Sequence, residues 1–329
     1  MTITKIFDPA DGFAPITDAA EMTDSSVFKR GNRWWMVLAG EGGSEPGLHL
    51  FSASLPDSAA LSATGWQLTA DATDSTKIAP LAGYERSAAW DLKGGRHCPS
   101  HVKGWDPQRG EWVERIYYAG AAENMWGPYA IGYLEWDGAT WVDQTAPVFV
   151  AEESWEHGSV YEPNLIYADG KWKLWFVAGS NQEDYLVHGF AESADGRLWT
   201  GRKIFAPAEM KMFDFCVREV KDGYEAVFSR VWVGKTAPPA STGLWWCRAD
   251  VPSAELSEWS APVQIMTAEN RGWHKGPWKP SFQDGESGRL FIFFDGGYMK
   301  AEPGGFPFAF TLGCLEIEAP TENIGRERS

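Results

Sequence analysis

Hydrophobic and polar residues alternate along much of this chain in short runs separated by turn-forming residues. The clearest run covers residues 162–179. A strand opens at Glu162 and turns at Asp169-Gly170. It returns with Lys171 and Lys173 on one side and Trp172, Leu174 and Phe176 on the other. Alternation of period two sends successive side chains to opposite faces of a strand, and an Asp-Gly pair between two β-rich runs is a strong hairpin signal. The pattern therefore predicts a β-hairpin with one buried face, opened by an acid set against a proline.

The same unit recurs. Five strand openings share a shape: Asp24-Ser25-Ser26-Val27, Cys98-Pro99-Ser100-His101, Glu162-Pro163-Asn164-Leu165, Asp214-Phe215-Cys216-Val217 and Lys279-Pro280-Ser281-Phe282, spaced 74, 64, 52 and 65 residues apart. An aromatic-rich second strand follows each, as in Arg289-Leu290-Phe291-Ile292-Phe293-Phe294, and then a third. After four of the third strands, a turn bearing Trp66, Trp141, Trp199 or Trp259 leads into a short fourth. The fifth unit has no fourth strand before the chain ends. Instead, Lys5-Ile6-Phe7-Asp8-Pro9-Ala10 near the N-terminus echoes Lys203-Ile204-Phe205-Ala206-Pro207-Ala208, the fourth strand of the third unit. Five four-stranded sheets, the last closed by the N-terminal strand, make an all-β five-bladed β-propeller, an architecture that leaves only short, protected sheet edges. No linker or composition break divides residues 1–329, so the expectation is one domain, with a frayed tail from Asn323 to Ser329.

Composition narrows the function classes. The 19 Trp, 18 Phe and 10 Tyr among 329 residues suit an all-β protein with carbohydrate-stacking surfaces. A net charge of −16 without clustered Lys and Arg argues against a nucleic-acid partner. No apolar run approaches the roughly 20 residues of a membrane span, and the N-terminus lacks the pattern of a signal peptide. Cys98, Cys216, Cys247 and Cys314 are widely spaced, with no paired-cysteine metal motif. The expectation is a cytoplasmic protein with reduced thiols.

The first strand of each propeller blade lines the central channel. Stepping by two from each opening residue collects Asp24/Ser26, Cys98/Ser100, Glu162/Asn164, Asp214/Cys216/Arg218 and Lys279/Ser281 on one face. A wall polar on one face is either a water-filled tunnel or a binding site. Asp24, Glu162 and Asp214 should converge at one mouth, where like charges raise one another's pKa and Lys279 and Arg218 offset part of the effect. Such a set suits glycosidic chemistry, which needs one acid kept protonated and another ionised.

The hairpin grammar, five blades and acid placement resemble the furanosidase clan of propeller glycosidases: the arabinanases and β-xylosidases of glycoside hydrolase family 43, with the invertases and levansucrases. The resemblance implies that Asp24 is general base or nucleophile, that Glu162 holds the sugar and tunes pKa, and that Asp214 protonates the leaving oxygen. This chain carries Glu and then Asp where the family carries Asp and then Glu, a swap that exchanges the last two roles in the alternative assignment. No cofactor is required; a calcium or sodium ion in the channel, bordered by His274, is the metal option the resemblance implies. Around the acids, His97, His101, Asn164, Arg218 and Lys279 are candidates for substrate contact, with Trp90, Trp126, Trp155 and Trp278 as stacking surfaces. The resulting expectation is a glycosidase acting on a small oligosaccharide or glycoside, with a furanoside among the substrates the resemblance implies. The alternative is a propeller of the same ancestry that binds a small ligand, or runs metal-assisted or lyase-type chemistry with channel histidines.

Overall fold

The hairpin over residues 162–179 forms, but residues 172–179 of its return strand are buried on both faces, Lys173 included, because neighbouring blades cover the sheet on either side. In the computed structural model, which describes residues 1–43, 45, 47–83, 89–91, 95–122, 127–180, 185–230, 240–268, 275–285, 288–299 and 308–320, twenty strands are numbered β1 to β20 in chain order. Strand β10 (Val160–Ala168) pairs antiparallel with β11 (Lys171–Ser180). Asp169 and Gly170 take φ of 54° and 74°, the positive values that a two-residue turn needs to match the twist of its strands.

The twenty strands form five four-stranded sheets, and no α-helix occurs among the described residues. The inner strands are β2 (Ala19–Arg30), β6 (Gly95–Asp106), β10, β14 (Met212–Val220) and β18 (Lys275–Asp284). Each touches the next and β18 returns to β2, which closes the ring of a five-bladed propeller. The last sheet runs β1-β20-β19-β18: the N-terminal strand β1 (Thr2–Phe7) pairs with β20 (Phe308–Glu318) outside β19 (Arg289–Met299). Its sequence echo, residues 203–205, lies in β13 (Trp199–Ala206), likewise an outer strand. No described helix is long and apolar enough to cross a membrane. The tail expected from Asn323 lies outside the described residues.

The apolar face of each strand is buried in the seams between blades. Ile6, Phe7, Met22, Val27, Phe291 and Phe293 fill the seam of blades five and one. Phe28, Val37, Ile116 and Leu134 fill the next, and Tyr117, Leu165, Trp172 and Leu174 the one after. The Trp172 indole is fully buried against Gly104, where a Cβ would come within 2.4 Å of it. Its ring N–H donates to the Trp105 carbonyl at 3.1 Å. Second-strand tryptophans thus serve packing between blades, as close-packed aromatic surfaces do.

The closing strand is held by burial as well as by its ladder. Phe7 is 7% exposed, and Phe→Ala in a core costs about 3–5 kcal/mol. Phe7→Ala is therefore expected to lower stability to urea by about 3 kcal/mol; a loss below about 1 kcal/mol would show that β1 does not secure the ring.

Candidate active site

Each inner strand opens with a break in register against its neighbour: Thr23/Ser26, His97/Ser100, Tyr161/Asn164, Met212/Asp214 and Trp278/Ser281. At four of the five, the opening residue is left-handed although it is not glycine: Asp24 (φ 49°), Cys98 (54°), Glu162 (52°) and Lys279 (42°). A side chain in this region costs on the order of 1–3 kcal/mol and persists only where its surroundings hold it. A bulge of this kind re-aims a side chain. Here it turns the opening residues of different blades onto one another at one end of the channel.

The contacts run around the ring. The Asp24 N–H donates to both carboxylate oxygens of Asp295, each at 2.9 Å. Asp24 Oδ2 accepts the Cys98 N–H at 3.0 Å and its thiol at 3.4 Å. The thiol also contacts Glu162. Glu162 Oε2 lies 3.4 Å from the Lys279 ammonium, which donates to the Pro163 carbonyl at 3.3 Å. The Lys279 backbone N–H donates to Asp214 Oδ2 at 2.7 Å, and Ser229 donates to the same oxygen at 2.8 Å. One step along the channel, Ser26 accepts the His101 N–H and Ser100 accepts the Leu165 N–H, both at 3.0 Å. The strand openings and the residues two further on thus stitch neighbouring blades together.

Charge balance assigns the protons. Glu162 and Asp214 are buried beside one buried cation, Lys279. Burial works against the lysine's charge, and the surrounding acids, Glu162 foremost, outweigh it and hold it protonated. One ammonium balances one carboxylate, so the second acid keeps its proton. Burial, reinforced by Asp214, pushes Glu162 well above the usual carboxylate range. Burial raises Asp214 too, but Lys279 and the hydrogen bonds from Ser229 and the Lys279 amide pull against it. Hydrogen bonds donated to a carboxylate favour its ionised form, so Asp214 carries the charge and Glu162 the proton. Across the mouth, burial and the adjacent Asp24 raise Asp295 well above its ordinary value. Burial also pushes the His97 imidazole down to about 4, leaving it neutral.

Of the residues anticipated from sequence, Asp24, Glu162, Asp214, Lys279 and His97 come together at this mouth, and Asn164 is buried on the same inner strand as Glu162. His101 does not join them. Its ring stacks on Phe28 with centres 3.6 Å apart, and Nε2 bonds Glu114 at 2.7 Å, because alternation turns it into the seam of blades one and two. Arg218 lies toward the far end of β14, paired with Glu225 at 2.7 Å and Asp284 at 2.5 Å over the Phe282 ring. Trp90 is a packing residue, stacked on Tyr118 and filling the space beside Gly120 and Gly132. Trp155 stacks on Phe176. Trp278 sits next to Lys279 and opposite Asp295 in register, and it is partly exposed. Trp126 and His274 lie outside the described residues.

Two participants escaped the sequence pattern. Asp295 lies on a second strand, not a first. Its signal was an acid directly after the apolar run Leu290-Phe291-Ile292-Phe293-Phe294. Ser229, also on a second strand, carried no signal.

No protein-family model matches the sequence, and no curated protein matches it. Solved structures match its fold. The catalytic domain of a family 62 α-L-arabinofuranosidase from Coprinopsis cinerea aligns with a TM-score of 0.63 at 13% identity, over 95% of this chain and 94% of that one. A family 117 glycoside hydrolase from the marine bacterium Zobellia galactanivorans aligns at 0.61 and 12%, over 96% and 89%. A β-1,2-mannobiose phosphorylase from Listeria innocua aligns at 0.59 and 11%, over 96% and 97%. At such identities the likeness carries the five-bladed fold shared with these carbohydrate-active proteins.

The proton on Glu162 can be tested through stability. Its folded pKa lies above the value of 4.5 for an exposed glutamate, so the stability this proton contributes is complete below about pH 4.5 and is lost as pH rises toward the folded value. Glutamine keeps the neutral form at every pH. Glu162→Gln should therefore be at least as stable as the parent at pH 8, its advantage growing from pH 4.5 upward by at most about 1.4 kcal/mol per pH unit. Were Glu162 ionised and paired with Lys279, the substitution would instead cost about 3–5 kcal/mol at neutral pH. Urea unfolding across this pH range separates the two.

Proposed function

We propose that the protein is a glycoside hydrolase acting on a small oligosaccharide or glycoside, with Glu162 as proton donor and Asp24 as general base or nucleophile. The observation that carries this reading is the unequal environment of the acids at one channel mouth. Glu162 is kept protonated beside an ionised Asp214, while Asp24 stands across the mouth with its backbone anchored by Asp295. Glycosidic cleavage requires one carboxyl group held protonated and a second carboxylate to act as base or nucleophile, and the burial of Glu162 supplies the first.

In this reading Glu162 gives its proton to the glycosidic oxygen as the bond to the anomeric carbon breaks. Asp24 either takes a proton from the water that attacks that carbon or attacks it directly. Asp214 is fully buried, so its part is indirect: its charge, balanced by Lys279, makes the neighbouring carboxyl hold a proton at neutral pH. This assigns the acid to the glutamate and not to Asp214, the order opposite to the first implication of the family resemblance. Trp278, partly exposed at the mouth, is the aromatic surface best placed to stack on a sugar.

A screen with nitrophenyl arabinofuranoside, xyloside and galactoside should reveal turnover. Asp24→Asn should lower it by about 10²–10⁴-fold. Glu162→Gln should spare nitrophenyl substrates, whose leaving group needs little protonation, far more than glycosides with a sugar leaving group. Absence of turnover in folded protein would shift the assignment to a ligand-binding propeller without hydrolase activity.

A further inference from the structure

We infer that Asp24, His97 and Cys98 form a binding site for a single thiophilic divalent metal ion of the zinc or cobalt class, at the channel mouth between blades one and two. This goes beyond the glycosidase reading and does not depend on it.

Geometry comes first. The three donor atoms lie within 4.8 Å of one another. His97 Nδ1 is 2.7 Å from the Cys98 sulfur and 3.9 Å from Asp24 Oδ2, and the sulfur is 3.4 Å from that oxygen. A tetrahedral zinc ion bound at about 2.0–2.3 Å to nitrogen, oxygen and sulfur holds its ligands roughly 3.3–3.7 Å apart. Two of the three separations differ from that by a few tenths of an ångström, and the third needs to open by less than about 1 Å.

Backbone conformation makes the set possible. Residues 97 and 98 are consecutive, and in a regular strand they would face opposite sides. The left-handed Cys98 at the register break brings both side chains toward Asp24. The Asp24 carboxylate is also braced: the Cys98 N–H donates to Asp24 Oδ2, and Thr23 donates to Oδ1 at 3.3 Å. Metal ligands are commonly oriented by such outer contacts.

Chemistry then selects the ion. The only hydrogen-bond contact of the His97 ring among the described residues is the neighbouring thiol, and its other nitrogen is buried without a partner. A thiol is a weak hydrogen-bond donor, so two poorly matched groups are held together at a strained turn. A metal ion satisfies both. Thiolate with imidazole favours zinc, cobalt and their neighbours over calcium or magnesium, which take oxygen ligands. On binding, the thiol proton passes to solvent, and thiolate and carboxylate together balance the divalent charge. The Asp24 and His97 side chains keep 13% and 11% exposure, which leaves the fourth position for water from the mouth. A bound ion occupies Asp24 Oδ2, so it would inhibit any reaction that uses Asp24 as a base.

The test is spectroscopic and independent of turnover. The full chain, freed of metal with a chelator, is titrated with Co²⁺. One equivalent should bind with a thiolate-to-cobalt charge-transfer band in the near ultraviolet, and Zn²⁺ should displace it. Cys98→Ala should abolish the band, and Cys216→Ala, on inner strand β14 but outside the cluster, should leave it. His97→Ala retains the thiol and should weaken Co²⁺ binding at least 10-fold. Absence of saturable Co²⁺ binding by the folded parent, or a band that survives Cys98→Ala, would overturn the assignment. Should Cys98→Ala fail to fold, unchanged affinity in His97→Ala would overturn it equally.

Discussion

The ammonium group of Lys279 is the interaction on which the channel mouth depends. It is buried, and it reaches from blade five to Glu162 and the Pro163 carbonyl of blade three while its own backbone N–H is accepted by Asp214 of blade four. Three blades therefore meet at one residue. An unpaired charge in such a place would cost several kcal/mol, so lysine and acids hold one another in position. Because one cation faces two acids, a proton remains, and its place on Glu162 follows from the two hydrogen bonds that Asp214 receives from Ser229 and the Lys279 amide. The unequal protonation that glycosidic chemistry would draw on is thus a by-product of how three blades are charge-balanced.

Backbone strain places these side chains. Four opening residues with positive φ would be poor choices for stability alone, since glycine adopts that region at lower cost. What glycine cannot supply is a carboxylate, a thiol or an ammonium. The recurrence of the same bulge in successive blades brings one functional group per blade to a common end of the channel. At blade two it brings two, His97 and Cys98, beside Asp24. Strain at these positions is offset by the seams, where large aromatic and aliphatic faces are fully buried between neighbouring sheets.

The ring itself rests on a division of labour along each strand. Outward-alternating residues such as Val27, Leu165 and Phe282 enter the seams, while Ser26 and Ser100 accept amides of the next blade. The N-terminal strand completes the fifth sheet, so β20 is paired on both sides. The low identity to other proteins of this architecture follows from the same logic. A seam requires apolar volume and alternation, which many residues satisfy, whereas the mouth requires particular groups.

Period-two alternation, the Asp169-Gly170 turn, the five matched openings and the echo of residues 203–208 near the N-terminus determined the blades, their order and the closing strand by themselves, because strand pattern and turn chemistry are local. They also marked Asp24, Glu162, Asp214 and Lys279, since an opening position is a place in a repeat. Tertiary structure alone decided what those residues do to one another. His101 shares an opening with Cys98, yet it packs against Phe28, and Arg218 shares a face with Asp214, yet it pairs far along the strand. Asp295 and Ser229 come from second strands and meet the mouth through the Asp24 amide and the Asp214 carboxylate. Proton affinity, and the approach of His97 and Cys98 to Asp24, depend on burial and on distances across blades. Those are properties of the closed ring, and no short stretch of sequence contains them.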